Sequence, residues 1–154
     1  MFRAMRRKDR CLSEDEARNI LKQGKFGVLS LIGEDGYPYG VPMHYVMEGD
    51  SLFVHCSAQG GHKTDAIDSD SRVCFTVVET EDGIKSRSAI FFGKAQQVTK
   101  GRKKVLEKMV EKFVPKFAWE QAKAGIPYAV DRIKAYELKI EHLTAKWIDK
   151  PEDR

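Results

Sequence analysis

Apolar positions along the chain follow two periods, one helical and one of strands. Residues 14–23 carry an apolar face through Ile20 and Leu21, opened by Ser13 as N-cap, with Glu16 completing a capping box, and closed by Gly24. Over 101–114, Val105, Leu106, Met109, Val110, Phe113 and Val114 recur at helical spacing, and Pro115 ends the run. A short helix is expected over 62–70 and a further helical piece around 118–124. Between them, short apolar runs predict strands at 27–32, 37–47, 51–56, 72–79, 86–98 and 134–148. In the last of these, Tyr136, Leu138 and Ile140 alternate with Glu137, Lys139 and Glu141.

The connections set the expected architecture. GEDG at 33–36, with Asp35-Gly36 as a hairpin signal, and EGD at 48–50 are too short for crossovers, so the first three strands are expected to form an antiparallel meander. Pro38 and Pro42 cannot donate ladder hydrogen bonds, which puts their strand at an edge or at a bulge. Such a strand leaves backbone groups free for a ligand. Gly93 marks a bulge or kink in the fifth strand. Six strands with short turns, plus helices at the start and after the fifth strand, predict a mainly β fold with flanking helices, built as a six-stranded antiparallel barrel. Neither G-x-G-x-x-G nor a Walker sequence is present, so Rossmann and P-loop readings have no support. There is no repeat or linker, and 1–154 reads as a single domain.

Composition narrows the class without naming it. Hydrophobic residues at 42% and charged residues at 32% are ordinary for a soluble globular chain, and no apolar run is long enough for a bilayer. The N-terminus MFRAMRRKDR lacks the apolar stretch of a secretory signal, so the expected compartment is the cytoplasm. Cys11, Cys56 and Cys74 cannot all pair and show no C-x-x-C spacing, which suits a reducing compartment. The net charge of +4 comes mainly from residues 3–10 and from KGRKK at 100–104. Neither cluster is interleaved with stacking aromatics, so solvated faces are expected rather than a nucleic-acid surface.

One stretch, HCSAQGGHKTDAI at 55–67, concentrates the candidate chemistry. A metal site is disfavoured because His55 and Cys56 are neighbours on a strand and point to opposite faces. A Cys56 nucleophile competes with a small buried hydrophobe on the side of Leu52 and Val54. A phosphate cradle fits the order of parts: a strand end, Ser57, the Gly60-Gly61 pair, then His62 and Lys63 opening a helix whose N–H groups favour an anion. The same order also occurs with no ligand, so both readings stand on the residues alone. His55, leaving on the side of Phe53, either hydrogen-bonds a small molecule or is satisfied in a core or interface.

In order, YPYGVPMHYV (37–46), LFVHCSAQGGHKTDAI (52–67), RVCFTVV (72–78) and RSAIFFGKA (87–95) resemble the FMN-binding split-barrel flavoproteins. The nearest likeness is the 5-nitroimidazole-resistance (Nim-like) branch of the pyridoxamine 5'-phosphate oxidase-related group, which the opening MFRAMRRKDRCLSEDEARNIL also resembles. The resemblance implies a split barrel, a homodimer with FMN at the subunit interface, and an oxidoreductase passing electrons from a reduced nicotinamide donor to a small-molecule acceptor. By position it places Pro42, Met43, His44 and Tyr45 beside the flavin ring, followed by His55, Cys56 and Ser57 along the cofactor. Gly61, His62 and Lys63 fall at the phosphate, and Arg87 and Ser88 match a strand presented to the flavin from the second subunit. His55 matches a histidine linked to substrate contact and is the candidate catalytic residue. His44 is also readable as an exposed strand residue, and Trp147 as dimer packing. The final IDKPEDR carries only Arg154 where the oxidase proper has an arginine-containing substrate segment, which argues against pyridoxamine phosphate as substrate. A flavin or haem binder without turnover is the alternative.

Overall fold

In the computed structural model, which describes residues 1–81, 83 and 85–148, the N-terminal helix begins where its capping box starts it. The Ser13 hydroxyl oxygen accepts from the Glu16 N–H at 3.2 Å and the Glu16 carboxylate accepts from the Ser13 N–H at 2.9 Å, starting α1 (Glu14–Gln23). Ala17, Ile20 and Leu21 are its buried face. Gly24 ends it with φ −59, so no left-handed turn is involved. The glycine is needed for close approach: a Cβ there would lie 2.4 Å from Tyr45 Oη and 2.6 Å from Val77 Cγ1.

Among the described residues seven strands follow: β1 (Phe26–Ile32), β2 (Pro38–His44), β3 (Val46–Glu48), β4 (Ser51–Ser57), β5 (Arg72–Thr80), β6 (Ser86–Val98) and β7 (Ile133–Trp147). They form one antiparallel sheet in the order β2-β1-β5-β6-β7-β4-β3. Its two edge strands, β2 and β3, are consecutive in the chain and joined by Tyr45 alone. The curled sheet therefore meets itself along a seam crossed by covalent chain and not by a ladder, a half-barrel of the split-barrel kind. The expectation of six strands is corrected to seven, because the run 37–47 breaks at this residue. Met43, Tyr45 and Val46 are all buried, so the period-two alternation slips by one position between Tyr45 and Val46.

The expected three-strand meander is corrected as well. β1 and β2 form a hairpin from Phe26↔His44 to Ile32↔Pro38, and β3 and β4 form another from Val46↔Phe53. β4 does not return to β2; its long partner is β7, from Ser51↔Lys139 to Ser57↔Ile133. Pro38 and Pro42 do lie on an edge strand, where missing donors cost nothing on the open side. The kink at Gly93 is a β-bulge: the β6–β7 register shifts between Phe92 and Gly93, and a Cβ at Gly93 would stand 1.9 Å from the Lys139 carbonyl oxygen.

Inside the barrel, Phe75 stacks on Phe91 at 5.7 Å and meets the edge of Tyr45 at 5.1 Å. Leu29, Leu52, Val54, Val77, Tyr136 and Leu138 fill the rest of the core. Helix α2 (His62–Ser69) lies between β4 and β5 in sequence and buries Thr64, Ala66 and Ile67. Helix α3 (Arg102–Phe113) packs against β3, β4 and β7 outside the barrel, followed by α4 (Trp119–Ala124) and α5 (Ile126–Ala129). No helix among the described residues is long and apolar enough to cross a membrane.

Two groups fix the seam. The Tyr45 hydroxyl donates to the Leu21 carbonyl at 2.6 Å, and Lys112 Nζ of α3 donates to the Tyr45 carbonyl at 2.9 Å while lying 4.1 Å from its ring centre. Replacing Tyr45→Phe should cost about 1–3 kcal/mol in urea unfolding. Gly24→Ala should be costly in the wild type and less so in the Tyr45→Phe background, where the nearest obstructing atom is gone; the double-mutant cycle checks this. Burial also holds the Lys112 ammonium down to about 8 from its ordinary 10.5. The folded chain alone penalises its charge, so that cost is complete below about pH 8 and fades as pH rises toward the unfolded value. In paired urea titrations the wild type should therefore gain stability relative to Lys112→Met between about pH 8 and pH 10.

Candidate functional site

Strand alternation divides the end of β4 between two compartments. Leu52 and Val54 are fully buried in the barrel and Cys56 packs on the same core. Phe53 and His55 point to the other face, which α3 and α5 cover. Between that face and the helices lies a cavity of about 470 Å³, bordered by His44 and His55 and walled by apolar side chains including Met109, Phe113 and Ile126. His44, the last residue of β2, stacks on Phe113 at 4.7 Å. His55 sits half-buried across from Ala135. Burial chiefly lowers its pKa, and the charges of Lys63 and His44 lower it further. The imidazole is thus biased to its neutral form, one donor and one acceptor facing an apolar space.

The Gly-Gly loop carries the chain from β4 into α2 through backbone conformations that favour glycine. β4 ends at Ser57, whose hydroxyl oxygen accepts from the Gln59 N–H at 3.2 Å, and the Gly60 N–H donates to the Ser57 carbonyl at 3.2 Å. Gly60 and Gly61 adopt φ of +80 and +147, values that side chains resist. Gly61 has no side chain to cap α2, and Thr64 supplies the cap from within. The Gly61 N–H donates to Thr64 Oγ1 at 2.9 Å and the Thr64 hydroxyl donates to the Gly61 carbonyl at 2.8 Å. The first-turn N–H groups of His62 and Lys63 then point out of the helix end. Thr64 was missed in the sequence, where a threonine at the third helical position was the available sign.

The predicted site residues do not all act alike. His62 packs against the β1–β2 hairpin: its ring stacks on Tyr39 at 4.3 Å, and a Cβ at Gly33 would lie 2.6 Å from its Nε2. Lys63 stays half-buried, near both His55 and Cys56. Met43 and Tyr45 bury their side chains, so only their backbone can face a ligand, and the Tyr45 carbonyl is already held by Lys112. Pro42 and His44 point outward. Arg87 and Ser88 are not brought to this place. Arg87 sits across from Trp147, pairs with Glu79 at 2.6 Å and lies 5.6 Å from the Trp147 ring. Nearly the whole 15-residue length of β7 separates that position from His55, about 40 Å along the strand. A smaller cavity of about 220 Å³ beside α3 gathers Lys100, Lys104 and Lys108, but Glu48 and Glu137 balance it, with Lys104 paired to Glu48 at 3.1 Å. The cavity walls from α3 and α5 were not expected as site residues; their apolar periodicity was legible only as packing.

Residues 13–147 match the family described as pyridoxamine 5'-phosphate oxidase. No curated protein sequence matches the chain. Among solved structures, one from Bacteroides thetaiotaomicron named for 5-nitroimidazole antibiotic resistance shares 20% identity over 89% of this chain and 86% of its own, with a TM-score of 0.73. A FAD-binding protein from Mesorhizobium loti shares 22% over 91% and 98%, with a TM-score of 0.67. A FAD and heme binding protein from Mycobacterium smegmatis shares 19% over 92% and 76%, with a TM-score of 0.73. At these identities the likeness is one of fold.

The electrostatics of His55 are open to direct measurement. In histidine-resolved NMR titrations His55 should titrate below the ordinary value of 6.5, and Lys63→Gln should move it upward without reaching that value, since burial is the larger cause.

Proposed function

The chain belongs to the pyridoxamine 5'-phosphate oxidase family, and from that premise we propose that it is a homodimeric flavoprotein oxidoreductase of the nitroreductase kind. It would hold FMN at the subunit interface, beside the seam, and pass electrons from a reduced nicotinamide donor to a small acceptor such as a nitroaromatic. The observation that carries this reading is the double nature of the end of β4. It sets a neutral-biased His55 on an apolar cavity and, within a short loop, outward N–H groups and the Lys63 ammonium at a helix start. A planar ring system fits the first and a phosphate fits the second.

The donor set agrees with that group. Ser57, Gly61, His62 and Lys63 would hold the phosphate, with His62 contributing through its backbone because its ring is packed on Tyr39. Pro42, the backbone of Met43 and Tyr45, His44, His55 and the Cys56 backbone would border the ring. A bound flavin supplies the hydride and electron chemistry. The chain supplies position, a dry apolar wall from α3 and α5, and at His55 a hydrogen bond or proton for the acceptor atom. The expectation attached to Arg154 lies outside the described residues.

Dimerisation supplies Arg87 and Ser88. The outer face of the sheet exposes Val28 at 38%, Ile32 at 52%, Val78 at 55% and Phe92 at 40%, a run of apolar side chains across neighbouring strands. Phe2 covers only its rim, stacking on Phe92 at 5.5 Å and on His142 at 4.7 Å. A second copy seated on this face would bury it and bring a distant strand end toward the seam. A second reading, a flavin or haem carrier without turnover, draws on His44 and His55 sharing one apolar cavity. The stacking of His44 on Phe113 favours the first reading, because that imidazole is already engaged.

Native mass spectrometry of the purified chain should find a dimer carrying FMN. His55→Ala should keep its flavin while losing on the order of 10²-fold in turnover of a nitroaromatic with a reduced nicotinamide. Val78→Glu should yield a monomer depleted of flavin. A wild-type chain that binds neither FMN nor FAD, or one that takes up haemin instead, would rule the proposal out.

A further inference from the structure

We propose that the cavity beside His44 and His55 selects acceptors that are planar and negatively charged, and that Lys112 is the residue that sets the preference for charge. The inference rests on the reading above, in which this cavity receives the acceptor, and adds to it the class of molecule that enters.

Charge is divided unevenly along the chain. The segment 99–132, which connects β6 to β7, carries nine Lys and Arg against four Asp and Glu, while the rest of the chain carries 18 against 19. This one connection therefore holds more than the whole net charge of +4. It is also the segment that folds over the outer face of β4 as α3, α4 and α5 and walls the cavity. Among the described residues that border the cavity none is an acid. An apolar space under a cationic cover focuses a positive potential, which draws anions in and turns cations away.

Within the cover, the half-buried cations are neutralised with one exception. Arg102 pairs with Asp131 at 3.2 Å and Lys123 with Glu111 at 2.8 Å. Lys112, the third, has no ion pair among the described residues. Its Nζ is held by the Tyr45 carbonyl at 2.9 Å and by two aromatic faces, Tyr45 at 4.1 Å and Phe113 at 5.4 Å. An ammonium has three donors, and this carbonyl fills one of them. Phe113 is itself a wall of the cavity and stacks on His44. The charge of Lys112 thus stands one ring away from the cavity, across an apolar layer that screens it little. Shape supplies the other half of the preference. The rings of His44 and Phe113 lie 24° from parallel at one border of the cavity, a stack that a flat aromatic acceptor can extend and a puckered ring cannot.

Isothermal titration calorimetry of the purified full chain near neutral pH tests this with 4-nitrobenzoate, 4-nitrobenzyl alcohol and 4-nitrobenzylamine, which are an anion, a neutral molecule and a cation on one ring. The wild type should bind the anion about 10-fold or more tighter than the cation, and the bound anion should shift the ring signals of His44 and His55 in NMR spectra. Lys112→Met should bring anion and cation to within about 3-fold of each other with the neutral alcohol unchanged, and Lys112→Arg should keep the preference. Lys116→Gln removes an exposed charge from the same cover and should leave the ratio near that of the wild type. Benzoate should bind more tightly than cyclohexanecarboxylate, which puts the same charge on a saturated ring. Equal affinity for anion and cation, equal affinity for the flat and the saturated acid, equal effects of Lys112→Met and Lys116→Gln, or binding that moves neither histidine overturns the inference. Because the calorimetry needs no cofactor, such a result leaves the flavin reading intact; failure to take up flavin overturns that reading and is scored separately.

Discussion

Tyr45 holds the two edges of the sheet together, and the rest of the molecule is arranged around that joint. Its hydroxyl bonds the last turn of α1, its ring meets Phe75 in the core, and its carbonyl receives Lys112 from α3. Three layers that share no ladder are thereby tied to one residue. The joint also sets the geometry of the candidate site. β2 ends one residue before it, at His44, and the β3–β4 hairpin that starts one residue after it carries His55. The two histidines reach the same cavity because the strand was broken here and not continued.

What the sequence made legible was local. The capping box of Ser13 and Glu16, the edge strand marked by two prolines, the bulge at Gly93 and the strand–loop–helix order around Gly60 and Gly61 each depend on residues a few positions apart. The divided sides of His55 and Cys56 followed from alternation alone. What was not legible depends on distant partners. The break at Tyr45 needs Leu21, Phe75 and Lys112; the pairing of β4 with β7 spans most of the chain. In isolation, the run 37–47 reads as one strand because nothing nearby opposes it.

The same limit shaped the reading of individual site residues. His62 has the right spacing for an anion donor, yet the β1–β2 hairpin claims its ring through Tyr39 and Gly33. Tyr136 and Lys134 belong to an alternating strand, and alternation says only that they share a face. That the start of β7 lies beside the loop leaving β4 is a consequence of register with β4, which no local pattern encodes. Arg87 shows the converse. Its position is clear, but it lies at the far end of β7 from His55, so any joint action requires a second copy.

The division at the end of β4 also links charge to chemistry. Lys63 belongs to both compartments: it stands at the start of α2, and its charge helps keep His55 neutral. On the proposed reading, a phosphate seated at Lys63 offsets that charge. The part of the depression at His55 that comes from Lys63 then falls away, while the parts due to burial and to His44 remain. An imidazole that resists protonation in the free chain would accept a proton more readily once the anion is in place. Cofactor seating and proton supply would thus be coupled through one lysine, with no movement of the backbone required.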